Sequence, residues 1–309
     1  MRLPRYTATV RMELSSYLLL PDGRLRSGWR VLIFIGLYIL GGMISAWLFD
    51  GLLGGRLLVY SVAIQFAATL AATWLMLRFF DRQPLLSVGL SPGRSTIREL
   101  GYGFGIGFVM VEIVIVFEVA THMVVIESTA PANAAGAGSL ISVFGILLVA
   151  AGSEELLFRG YPFQRLVEGT SGAGAIVITS ALFGLLHARN PDATALGVMN
   201  TVLAGVLFSV AYLKTRALWL PIGAHFAWNW TLAVSGFPVS GLEIVEMPWR
   251  AISASGRVWL YGGNYGPEGG IVATVVLVGG IAFLMIKLEG RASAEVKTSG
   301  PTSGVDGSR

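Results

Sequence analysis

LLVAAGSEELLFRGYPF, residues 147–163, sets two adjacent carboxylates and a guanidinium inside an otherwise apolar run. A charged side chain at a bilayer centre costs about 2.5–3.5 kcal/mol on insertion scales, so an intramembrane acid points to a working site. Left unpaired and charged, Glu154 and Glu155 would together cost on the order of 5 kcal/mol. Helix geometry gives them different neighbours. Glu155 and Arg159 stand at i and i+4 with the acid first, the favourable order for an ion pair. Glu154 points about 100° away round the helix and is left for another partner. Pro162, lacking a donor and clashing with the preceding turn, is expected to end or kink this helix.

Working outward, the composition explains what surrounds that run. Of 309 residues 54% are hydrophobic and 13% charged, against roughly 25% charged in soluble domains. The mean hydropathy is +0.70, and the 40 glycines fit transmembrane helices, which carry more glycine than soluble ones. Backbone groups in hydrocarbon must bond internally, which leaves helices or closed barrels. Runs of about twenty residues without period-2 alternation select helices. With no cysteine, disulfides and thiolate metal sites are excluded. The basic pI does not imply nucleic acid, because the basic residues are dispersed among the apolar runs.

These features predict an all-α polytopic membrane protein, a bundle of about eight transmembrane helices. The spans fall at 31–49, 57–77, 100–120, 139–161, 173–189, 194–213, 217–236 and 270–288. Residues 1–30 read as a cytoplasmic N-terminal segment, 31–290 as the bundle and 291–309 as a disordered tail. Stretches 121–138 and 237–269 are the longer loops. The positive-inside rule tests this arrangement. A cytoplasmic N-terminus places every lysine and arginine inside except Arg56, Arg189, Arg250 and Arg257. Both termini are therefore expected in the cytoplasm, and the Arg, Gly and Ala bias suggests a bacterial plasma membrane.

Two further spans carry polar groups. In ALFGLLHARNP, His187 follows Phe183 by four residues, ahead of the Asn190-Pro191 stop; in LPIGAHFAWNW, His225 and Asn229 share one helical face. Two histidines, a glutamate and an asparagine supply a proton acceptor and hydrogen-bond donors, the minimum for hydrolysing an amide. Blander roles fit each residue alone: a histidine at the interface for His187, interhelical hydrogen bonding for His225 and Asn229. His122 reads as an ordinary loop residue. Glu112 is an intramembrane acid without an assigned role. Most tryptophans read as interfacial anchors.

Taken in order, Glu154-Glu155-x-x-x-Arg159-Gly160, Phe183-x-x-x-His187 and His225-x-x-x-Asn229 resemble the CAAX prenyl protease and bacteriocin-processing (CPBP, or Abi) family. Leu218-Trp219-Leu220-Pro221-Ile222 also resembles that family, and the likeness covers 139–236. It implies an intramembrane endopeptidase acting on membrane-associated proteins or peptides. Carried over by position, Glu154 resembles the general base that activates water, assisted by His187. His225 and Asn229 resemble the oxyanion-stabilising pair, and Glu155 and Arg159 its supports.

Zinc stays open at this stage, since Glu154, His187 and His225 supply the three ligands usual in hydrolases. No H-E-x-x-H is present, and no spare carboxylate would serve as base were Glu154 a ligand, so a reaction without a cofactor is favoured. A transporter using Glu, His and Asn as a proton relay, or an immunity-type or scaffold protein packed by the same polar cluster, are the alternatives.

Overall fold

The computed structural model describes residues 17–53, 57–128, 137–254 and 256–298. The apolar runs form α1 (Ser27–Leu53), α2 (Leu57–Leu75, continued by a π-helical turn, Met76–Asp81), α3 (Arg94–Ala120) and α4 (Ala137–Arg159). Then come α5 (Tyr161–Gly169), α6 (Gly172–His187), α7 (Ala195–Thr215) and α8 (Trp219–Val234). A short turn, α9 (Val258–Tyr261), precedes the last helix, α10 (Ile271–Thr298). Side chains start two of the helices. Ser171 accepts from the Gly174 N–H and Thr194 from the Gly197 N–H, each at 3.0 Å, satisfying donors that a first turn leaves open.

All eight expected spans fall on helices, but they divide by length. Among the described residues, five helical stretches are long and apolar enough to cross a membrane: Ser27–Trp47, Val59–Asp81, Arg94–Ala120, Ser139–Gly169 and Ala195–Thr215. Helices α6 and α8 have 16 residues each, about 24 Å at 1.5 Å per residue, short of the roughly 30 Å hydrocarbon core. The apolar part of α10 at Ile271–Lys287 is short as well. Helix α8 lies inside the bundle, with Leu220 to Trp228 buried.

Other boundaries also move. The helix carrying Glu154 breaks at Gly160 (φ −76°, ψ −126°) rather than after Pro162. Proline is tolerated in a first helical turn, where its missing N–H has no partner to lose, and Pro162 opens α5. Helix α10 extends to Thr298, past residue 291 where the expected tail begins. The expected N-terminal segment up to residue 16, and 299–309, lie outside the described residues. The two long loops hold strands: β1 (Val124–Ser128) and β2 (Trp249–Ser253) pair antiparallel, Val124 opposite Ser253 and Ser128 opposite Trp249.

Close approach of backbones fixes α8. A Cβ on Gly103 would stand 2.1 Å from the Leu220 carbonyl oxygen, and one on Gly107 2.2 Å from that of Ala224. No larger side chain fits, so α3 and α8 meet backbone to backbone, the small-residue seam that substitutes for hydrophobic driving force in a bilayer.

Segments expected inside gather at one end. Arg30 pairs with Asp81 at 2.6 Å and Glu168 at 2.9 Å, while Arg165 pairs with Glu168 at 2.8 Å. The Leu218 N–H donates to the Gly89 carbonyl at 2.9 Å. Segments expected outside meet at the other end through the β1–β2 pair and the Asn190 amide, which donates to the Ser240 carbonyl at 3.0 Å.

Candidate active site

Helix α4 presents Glu154 and Glu155 on different sides, as adjacent helical positions must. Glu155 is fully buried and turns to the protein interior, where Arg159 Nη1 lies 3.3 Å from its Oε1. Arg159 is equally buried. Its Nη2 donates to the Gly205 carbonyl at 2.9 Å and its Nε to Ser209 Oγ at 3.4 Å. The guanidinium also lies 4.8 Å from the Phe183 ring centroid, near enough for cation–π attraction. A buried guanidinium needs this many partners to offset its lost hydration.

Glu155 has a second partner that helix spacing does not reveal. His225 Nδ1 lies 2.9 Å from the same Oε1. With Nδ1 donating to the carboxylate, Nε2 is the nitrogen turned toward Glu154, whose Oε2 is 3.8 Å away. A carboxylate on one ring nitrogen fixes the tautomer and orients the other. Phe208 stacks on the imidazole at 4.9 Å, and the α3–α8 seam holds its helix.

His187, in the last turn of α6, donates from Nδ1 to the Phe183 carbonyl at 2.7 Å. A carbonyl can only accept, so Nδ1 carries the proton and Nε2 is left as the acceptor. The Phe183 and His187 rings lie 4.6 Å apart. The family-like Phe-x-x-x-His spacing thus joins an aromatic wall to a tautomer lock.

Glu154, His187, His225 and Asn229 all line one cavity of about 350 Å³. Glu154, His187 and Asn229 are half-buried, and His225 is buried. Glu155 and Arg159 do not line it; they stand behind His225. Glu112 is half-buried and is not part of the lining. His122 sits in the turn after α3. Among the described residues, no group of three or more His, Cys, Asp or Glu side chains is placed to hold a metal ion.

Several lining residues escape a reading of the sequence. Tyr38 and Gln65 come from α1 and α2. Glu268 comes from the loop before α10, its Oε1 accepting from Trp228 Nε1 at 3.1 Å and its Oε2 from the Ser240 hydroxyl at 2.9 Å and the Ser240 N–H. Burial pushes its carboxyl above the ordinary range, and the Ser240 donors pull it back in part. The Asn200 side chain donates to the Glu268 and Gly270 carbonyls, each at 2.8 Å, which ties α7 to this wall. The one available signal was compositional. Glu268 is a lone acid in a glycine-dense loop, GGNYGPEGG (262–270), and dense glycine permits close backbone approach.

Residues 136–231 match the family model described as type II CAAX prenyl endopeptidase Rce1-like. Over that stretch, an Rce1-like core, the chain is similar to the family. Two curated relatives, both from Bacillus subtilis (strain 168), extend the likeness. "Uncharacterized protein YyaK" is 25% identical over 226 residues, covering 66% of this chain and 75% of the relative. "Putative membrane peptidase YdiL" is 37% identical over 76 residues, 25% of this chain and 29% of that relative. All three polar motifs fall inside the Rce1-like core, from Glu154 to Asn229. Tyr38, Gln65, Ser240 and Glu268 lie outside it, so the remainder of the chain completes the cavity wall.

Proposed function

We propose that this protein is an intramembrane endopeptidase that hydrolyses peptide bonds of membrane-associated proteins or peptides with Glu154 as general base and without a metal. One observation carries the reading: four polar side chains from three separate helices line a single cavity, backed by a buried Glu155–Arg159 pair. The Rce1-like core supports the reaction class. The half-buried Glu154 carboxylate takes a proton from a water in the cavity, and the hydroxide attacks the scissile carbonyl carbon. His187, with Nδ1 committed to the Phe183 carbonyl, offers Nε2 to orient that water. Asn229 donates to the developing oxyanion, as does His225 Nε2 when the ring is an imidazolium. Glu155 on Nδ1 stabilises that form. Collapse of the tetrahedral species breaks the C–N bond, and Glu154 returns its proton to the leaving amine. Donors aimed at an oxyanion in a site shielded from bulk water act far more strongly than in water.

The metal-free form is supported by the sequence pattern: no H-E-x-x-H is present, and with Glu155 held by Arg159 no spare carboxylate would serve as base were Glu154 a ligand. The positive-inside pattern and the gathering of expected inner segments at one end support a multi-pass protein of a bacterial plasma membrane, both termini cytoplasmic. Purified protein in liposomes provides the test. Glu154→Ala and His225→Ala are expected to lose proteolysis of a membrane-anchored peptide; variants that keep full activity end the proposal. Complete loss on chelation, restored by added zinc, overturns its metal-free part.

A further inference from the structure

Behind the catalytic cavity, at the outer end of the bundle, lies a second chamber of about 250 Å³. The two share one wall. Val239, Ser240 and Leu242 line the catalytic cavity, whereas Phe237, Pro238, Gly241 and Glu243 line the outer chamber. Pro267 and Glu268 divide in the same way, Pro267 toward the outer chamber and Glu268 toward the catalytic cavity. Glu268 pins this wall through the Ser240 N–H and hydroxyl.

The outer chamber is acidic. Glu118, Asp192, Glu243 and Arg250 border it. Arg250 is already paired with Glu243, which leaves two carboxylates in excess. Asp192 and Glu243 are exposed at the mouth. Glu118, in the last turn of α3, forms the inner end and is fully buried. Among the described residues neither of its carboxylate oxygens has a hydrogen-bond partner. A charged carboxylate in such a place costs several kcal/mol unless something pairs with it.

The geometry favours one kind of cation. Among the described residues no group of three or more acids and histidines is placed to hold a metal ion. The volume also far exceeds the roughly 30 Å³ that a water-sized occupant fills. A planar guanidinium matches the two unpaired oxygens of one buried carboxylate with two parallel N–H groups, which an ammonium cannot do. The chamber has room for that head and part of its stem.

We propose that the outer chamber binds the guanidinium of an arginine side chain presented by a polypeptide at the outer face. Glu118 is its bidentate partner and Asp192 adds attraction at the mouth. This binding does not depend on the peptidase reading. Its occupant lies one backbone wall away from Ser240 and Glu268.

The full chain in detergent micelles, titrated with N-acetyl-arginine amide and followed by calorimetry, tests the assignment. The expected result is saturable binding, weakened at least tenfold by Glu118→Gln and severalfold by Asp192→Asn. Binding persists in Glu154→Gln, and N-acetyl-citrulline amide, the uncharged isostere, does not bind. Absence of saturable binding to the wild-type chain overturns the proposal, as does equal binding of citrulline. So does unchanged affinity in both acid variants. Calcium that binds alone and displaces the arginine amide would make the chamber a metal site and overturn it as well. If Glu118→Gln does not fold, the exposed Asp192→Asn decides.

Discussion

Two clusters of acidic and basic side chains sit in this bundle, and they close differently. At the inner end Arg30, Asp81, Arg165 and Glu168 set two positive charges against two negative ones, each charge within 3.6 Å of an opposite one. The cluster joins α1, the turn after α2, and α5, and it leaves no charge over. Deeper in the bundle Glu155 is shared by Arg159 and His225, and Glu154 remains. Its Oε2 has no hydrogen-bond partner among the described residues and stands 3.8 Å from His225. A lattice that only joins helices neutralises itself. A site that does chemistry keeps one group unspent and exposed to a cavity.

The largest expected effect breaks that asymmetry. Glu154→Gln should lower the rate by about 10²–10⁴, the span of general acid–base catalysis, in a peptide-cleavage assay with thermal unfolding unchanged. If the variant unfolds early and retains its specific activity, Glu154 belongs with the structural cluster. Arg159→Met should act on stability instead, by about 3–5 kcal/mol, because it strands Glu155 in the interior; denaturant melts in micelles would read it. Asn229→Ala sharpens the contrast within the cavity. It should cost about 10²–10³ in kcat with KM little changed, the signature of a donor used in the transition state. The smallest effect belongs to the inner cluster. Asp81→Asn should cost about 1–3 kcal/mol and leave kcat intact, since Arg30 keeps Glu168. A matching fall in kcat would show the two clusters to be coupled.

Much of this was legible in the sequence, because hydropathy and helical spacing are local. The runs that became α1 to α4, the i, i+4 pairing of Glu155 with Arg159, and the shared face of His225 and Asn229 needed no tertiary information. The second partner of Glu155 was not legible, since His225 lies 70 residues away. Glu268 and Ser240 were hidden for the same reason, in a loop whose glycines advertise only close packing. The five-residue strands are too short to show alternation. Glu112 drew attention by standing in an apolar run, while Glu118, six residues on, is the acid the fold buries. The break at Gly160 admits only glycine: a Cβ there would stand 2.2 Å from the Leu156 carbonyl oxygen, a contact invisible before the chain is folded.

The glycine seam between α3 and α8 limits how the protein can diverge. Where two backbones touch, there is no side chain to trim or enlarge, so the histidine and asparagine on α8 cannot be nudged by small steps. Changes in what the cavity accepts must then accumulate on its movable walls, at positions such as Tyr38 and Gln65. The frame that holds the chemistry stays rigid across variants, and the preferences of the molecule drift around it.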